Sequence, residues 1–128
     1  MILELNFSDE IPIYMQIRNQ IVMGIADGRL ACGEKLPTIR ALAGESGINM
    51  MTVNKAYALL KQERYIQTDR RGGATVSAAN KNDGVISEKI SRNLKLLICE
   101  AKTNGVTKQE FLALCEQNYS EMETGKWT

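Results

Sequence analysis

The chain has 128 residues, 44% of them apolar and 24% charged, with a net charge of +1. Disorder would need fewer apolar residues and more net charge, so a folded soluble protein of one domain plus an appendage is expected. No stretch approaches the roughly 18 uninterrupted apolar residues of a membrane span, and histidine, the commonest zinc ligand and general base, is absent.

Ile2 to Leu5 is a short apolar opening that reads as a small strand. Ile13, Ile17, Ile21 and Ile25 then recur four apart, with Val22 on the same side, as the stripe of an amphipathic helix. Pro12 suits its first turn and Asp27-Gly28 ends it. Leu30 to Pro37 is a loop. A second helix starts at Thr38 as N-cap, runs through Ile39, Leu42 and Ala43, and stops at Gly47. The third has Asn49 as N-cap and Val53, Ala56, Tyr57 and Leu60 facing inward. Tyr65-Ile66 and Ala74-Thr75-Val76 read as two strands around a turn at Arg70 to Gly73.

After a polar linker near Asn80 to Gly84, a helix over Asp83 to Thr103 carries Ile86, Ile90, Leu94, Leu97, Ile98 and Ala101 on one stripe. Asn104-Gly105 breaks it. A last helix opens at Thr107, whose T-x-x-E spacing to Glu110 is a capping box, and presents Phe111, Leu112, Leu114, Cys115 and Tyr119. The N-terminus holds Glu4, Asp9 and Glu10 with no basic region before an apolar run, so no secretory signal is read and the cytoplasm is expected. Cys32, Cys99 and Cys115 lack C-x-x-C spacing and read as small buried apolar residues. No metal, cofactor or catalytic residue is expected.

Two helices joined at Gly47 carry the functional reading. Ala43 is small where the helices approach, Gly47 can take a positive φ, and Val53 anchors the second helix, as a helix-turn-helix requires. Such a unit inserts the start of its second helix into the DNA major groove. Here Met50, Met51, Asn54 and Lys55, with Thr52 at the edge, lie opposite the inward set. Asn54 can pair with adenine, Lys55 with guanine or phosphate, and Met or Thr methyls with thymine methyls. Arg40 can reach a phosphate or instead pair with Glu34. Arg70, Arg71, Gly72 and Gly73 fit the tip of a β-wing, glycines admitting a phosphate and arginines entering the minor groove. From Lys35 to Arg71 there are seven basic and three acidic residues, 7 − 3 = +4, against +1 for the whole chain.

The chain resembles the GntR family of regulators over about residues 11–78. The resemblance runs through Pro12-Ile13-Tyr14, Gln16-Ile17, Gly28-x-Leu30-x-x-Gly33-x-Lys35-Leu36-Pro37-Thr38-Ile39-Arg40-x-Leu42-Ala43, then Gly47-Ile48-Asn49-x-x-Thr52-Val53-x-x-Ala56-Tyr57-x-x-Leu60 and the Gly73 wing. Its short tail is similar to the YtrA-like subgroup, which lacks a large effector domain. The resemblance implies DNA contacts at Thr38, Arg40, the first turn of the third helix and the wing. Two departures bear on which operator is read: Met50 stands where many members have a basic residue or proline, and Ala74-Thr75-Val76 follows Gly73 where the family often has G-T-F-V.

The expected fold is therefore mainly α with a small β-wing: a winged helix-turn-helix over 1–78 and a two-helix dimerisation tail over 79–128. The tail is too apolar to stand in water, so Ile86, Ile90, Leu94, Leu97, Ile98, Phe111, Leu114 and Tyr119 are expected at a homodimer interface. Packing back on the winged domain is the alternative. The expected function is a repressor that binds a pseudo-palindromic double-stranded operator as a homodimer. A protein–protein adaptor is the alternative; acids on the third helix would favour it. Any small-molecule effector is undefined, and no membrane partner or enzymatic frame is seen.

Overall fold

The computed structural model describes residues 3–71, 73–77 and 85–124. The chain divides into two units, residues 1–79 and 80–128. The boundary expected at 78/79 falls among residues outside those described, as does Gly72.

In the first unit, α1 (Ile13–Ala26), α2 (Ile39–Ser46) and α3 (Met50–Gln62) pack with a three-stranded antiparallel sheet of β1 (Lys35–Leu36), β2 (Ile66–Thr68) and β3 (Ala74–Val76). The strand order is β1-β3-β2, with Leu36 opposite Ala74 and Ile66 opposite Val76. Ile17, Ile21, Leu42, Val53, Ala56, Tyr57 and Leu60 are wholly or almost wholly buried, and Leu36, Ala43, Ile66, Ala74 and Val76 complete the core. The fourfold stripe of α1 is thus real at its centre, while Ile13, Val22 and Ile25 pack half-buried at its margin.

Local chemistry sets the helix ends. Thr38 Oγ1 accepts the Ala41 N–H at 3.1 Å, and Asn49 Oδ1 accepts that of Met51 at 2.7 Å. Gly47 ends α2 at φ +66°, a left-handed conformation that glycine adopts without the strain a Cβ brings, and the Ile48 N–H closes back on the Ala43 carbonyl at 3.0 Å. At the end of α3 the left-handed position is filled by Arg64, at φ +68°. Its N–H bonds the Lys61 carbonyl and that of Tyr65 bonds Leu60, the paired closure of a Schellman motif. Arg18 of α1 braces this end, its guanidinium meeting Glu63 at 2.9 and 3.1 Å and lying 5.5 Å from the Tyr65 ring.

Several expectations need correcting. The described residues 3–6 form no strand; glutamine side chains of α1 fasten them instead. Gln20 bonds both the N–H and carbonyl of Glu4, and Gln16, buried, bonds both groups of Asn6 and the Ile11 carbonyl. Four helical residues rise about 6 Å and two extended residues about 6.6 Å, so the two glutamines match the segment as a neighbouring strand would. The Leu30–Pro37 loop contains β1, only two residues long, whose Leu36 enters the core. Tyr65 precedes β2, which runs on to Thr68. The cysteines are not buried: Cys32 lies exposed in the loop, Cys99 is exposed and Cys115 is half-buried.

In the second unit, α4 (Glu88–Thr103) and α5 (Lys108–Thr124) form a hairpin. Helix α4 starts at Glu88 because Ser87 caps it, accepting the Ile90 N–H at 3.1 Å, so Ile86 lies ahead of the helix. The linker expected near Asn80 to Gly84 and the helix start expected at Asp83 lie outside the described residues. Gly105 turns the chain at φ +83°. The Thr107–Glu110 capping box forms in both directions, each contact 3.1 Å. The Thr107 hydroxyl (at 2.8 Å) and then its N–H, both donating to the Glu110 carboxylate, hold that carboxyl below its usual pKa. Cys99 is exposed on α4, a helix with no buried residue.

Candidate nucleic-acid interface

The expected contact residues fall at three places on the first unit: the start of α2, the start of α3, and the β2–β3 turn. Thr38 and Arg40 are exposed at the first. Thr38 uses its oxygen as an acceptor in the cap, which leaves its O–H free to donate outward. Arg40 makes no ion pair among the described residues, and Glu34 caps the Ala31 N–H at 3.1 Å, so the Arg40–Glu34 alternative is not realised.

At the second place, Asn49 likewise uses Oδ1 in the cap and keeps its amide N–H donors. Met51 is 79% exposed and Met50 46%, a large apolar display for a soluble surface, while Asn54 and Lys55 are exposed and Thr52 half-buried. The Lys55 ammonium is not free in solution: Nζ lies 4.1 Å from the centroid of the Tyr14 ring, on α1. No Asp or Glu lies between Met50 and Gln62.

At the third, Arg70 and Arg71 are exposed and Gly73 half-buried. Sequence reasoning missed the group that shapes this turn. Asp69 Oδ1 accepts the N–H groups of both Arg71 and Gly73 at 2.9 Å, and its own N–H bonds the Gly73 carbonyl at 3.0 Å. Those two backbone donors, first Gly73 and then Arg71, hold its carboxyl below its usual pKa. A Cβ on Gly73 would stand 2.7 Å from Asp69 Oδ2, so glycine is needed here to admit the carboxylate. The Asp-x-x-x-Gly spacing was the available signal.

A second overlooked group is Tyr57, whose hydroxyl donates to the Pro37 carbonyl at 2.7 Å and so ties the approach to α2 onto α3. Burial, with Glu45 adding to it, pushes this hydroxyl's pKa up, so it stays protonated and donating. Among the described residues no His/Cys/Asp/Glu group could hold a metal ion, and no helix is long and apolar enough to cross a membrane.

The residues expected at a dimer interface lie on the second unit. Ile90, Leu94, Leu97 and Ile98 of α4 and Leu114 and Tyr119 of α5 are exposed on the hairpin, as is Ile86 ahead of it. Phe111 differs: it is half-buried, on the same side of α5 as half-buried Cys115 and Met122.

A three-helix unit with a two-helix turn at a left-handed glycine and a β-wing is a winged helix-turn-helix. Residues 13–76 match the model of the bacterial regulatory proteins of the gntR family, and the chain belongs to that family. It is 33% identical over 118 residues to the transcriptional repressor YtrA of Bacillus subtilis, a match covering 90% of each chain. A crystal structure described as a transcriptional antiterminator from Listeria monocytogenes EGD-e superposes with a TM-score of 0.84 at 28% identity, covering 95% of this chain and 92% of that one. The AraR DNA-binding domain in complex with operator ORX1 matches with a TM-score of 0.53 at 26% identity, covering 59% of this chain and 96% of the domain. The chain is accordingly a helix-turn-helix transcriptional regulator of the GntR family, similar to YtrA in both of its parts.

Proposed function

We propose that this protein is a repressor that binds a pseudo-palindromic operator as a homodimer, in the cytoplasm. The start of α3 enters the major groove, with Asn54, Thr52 and the exposed methionines at base edges. Thr38, Arg40, Asn49 and Lys55 meet phosphates or groove edges, and the Arg70–Gly73 turn contacts the neighbouring backbone or minor groove. One observation carries the reading: at the capped starts of α2 and α3, exposed Thr38 and Asn49 spend their acceptors on the caps, which leaves their donors for a partner. A DNA phosphate offers only acceptors to them. The AraR domain's operator complex supports the docking mode, and YtrA's name supports the sign of regulation. An acid-free α3 counts against an adaptor.

The tail hairpin supplies the dimer contact. Its exposed Ile90, Leu94, Leu97 and Leu114 form an apolar surface that a second copy would cover. One module buries only about 600–1,000 Å² on DNA, so two joined half-sites combine otherwise weak affinities.

A gel-shift titration against the DNA upstream of the protein's own gene, at two salt concentrations with non-specific competitor, tests this. If Arg40, Lys55, Arg70 and Arg71 of two protomers each neutralise a phosphate, log K falls with log salt at a slope of about −7. Absence of any competitor-resistant shift at either salt would overturn the reading.

A further inference from the structure

The contact set above makes no use of Tyr14, yet the Lys55 ammonium rests on its ring. Tyr14 lies in the first turn of α1, half-buried and packed on the core. That turn is pinned twice: the Pro12 carbonyl accepts the N–H groups of Met15 and Gln16 at 3.0 and 3.1 Å, and Gln16 Nε2 holds the Ile11 carbonyl at 2.8 Å. The backbone beneath the ring is therefore fixed, and the ring itself packs on the core.

Lys55 is exposed in the second turn of α3. An exposed lysine samples many rotamers and surrenders them when it pairs with a phosphate. A ring face attracts the cation through its quadrupole and covers one side of the ammonium. The N–H donors turned away from the ring remain open to an oxygen. The same contact holds the charge in one place before DNA arrives.

We propose that Tyr14 is a positioning residue for DNA binding, its ring presenting the Lys55 ammonium to a backbone phosphate. The proposal rests on the DNA-binding reading above and adds to it a residue outside the helix-turn-helix. It assigns no direct DNA contact to Tyr14.

A double-mutant cycle on the upstream duplex, run over a salt series, tests it. Lys55→Ala should reduce the salt slope by about 0.9 per half-site, equivalent to about fivefold weaker binding at 0.15 M salt relative to 1 M. Tyr14→Leu should weaken binding by about 2- to 5-fold per half-site, within the range for ordering one flexible side chain and no more than the loss of Lys55 itself. The double variant should bind no more weakly than Lys55→Ala alone, and Tyr14→Phe should bind as wild type does. Losses that multiply in the double variant, or a Phe variant as weak as Leu, would overturn the proposal.

A measurement on the wild-type protein stands apart from any folding defect in the Leu variant. The Lys55 Hε resonances should show an upfield ring-current shift both free and bound to DNA. Loss of that shift on binding would also overturn it. Failure of the wild-type protein to bind any duplex would instead remove the DNA-binding reading itself.

Discussion

Replacing Asn49 with aspartate should separate folding from binding with opposite signs. Asn49 Oδ1 caps α3 by accepting the Met51 N–H at 2.7 Å, and an aspartate oxygen can take the same place. Asn and Asp rank together as N-caps, and a negative charge at an exposed helix start adds about 0.3–1 kcal/mol. Stability should therefore hold or rise by up to about 1 kcal/mol, which for a unit of this size is at most about 4–8 °C in melting temperature. Binding should go the other way. The outward amide donor becomes an anionic oxygen facing phosphate. At about 6 Å the repulsion is about 0.7–3 kcal/mol between water-like and surface-like dielectrics. The lost contact adds about 1–3 kcal/mol. Affinity per half-site should fall by about tenfold or more. Circular dichroism melts and fluorescence anisotropy on one preparation at fixed concentration read both quantities. A lower melting temperature would contradict the cap, and undiminished affinity would show that Asn49 only caps the helix.

Arg64→Gly relieves the left-handed strain at the end of α3 and should stabilise the protein by about 0.5–1 kcal/mol, read from denaturant melts; no gain would mean the arginine side chain makes compensating contacts. Tyr57→Phe leaves the Pro37 carbonyl without its donor and should cost about 1–2 kcal/mol in the same assay. At the wing, Asp69→Asn keeps an acceptor while removing a negative charge and should bind DNA as tightly as wild type or tighter, whereas Asp69→Ala should bind more weakly despite the same charge change. The folded Asp69 carboxyl is held below the ordinary 3.8, so its support of the turn is complete above about pH 4 and fades as pH falls through the lower folded value. An Arg71 or Gly73 amide titration with a midpoint above 4 would refute that. Leu94→Glu should yield monomers by sedimentation velocity and weaken operator binding; a stable dimer would place the interface elsewhere.

Where periodicity and capping agreed, the fold was legible. The inward set of α3 came from spacing alone, and Thr38, Gly47, Asn49 and the Thr107–Glu110 box stand at the helix ends where their chemistry puts them. Legibility failed where partners are remote or the element is short. Two residues of β1 carry no period, and their strand character comes from pairing with Ala74 and Thr75 far along the chain. The Leu3–Asn6 segment resembles a strand because it does pair along its backbone, but with Gln16 and Gln20 side chains. Ser87 is a visible cap signal, but the apolar stripe that extends back to Ile86 obscures it. In the candidate site, the face of α3 followed from the inward residues. The Tyr14–Lys55 contact did not, since it joins positions in different helices.

The polarity of the candidate surface follows from what its own fold consumes. Each helix start and the wing turn leaves backbone N–H groups that need acceptors, and here Thr38, Asn49 and Asp69 provide them from within. A carboxylate at a wing tip would repel DNA if it faced outward with open lone pairs. Asp69 instead turns one oxygen, Oδ1, onto two N–H donors of its own turn, and the glycine at 73 leaves room for the other. The same bonds that finish the local structure thus draw acceptors inward and leave hydroxyl, amide, guanidinium and methyl groups outward. A surface built this way suits a partner presenting anionic oxygens beside thymine methyls. It suits an acidic protein partner less well, because carboxylates alone would leave Met50 and Met51 without an apolar counterpart.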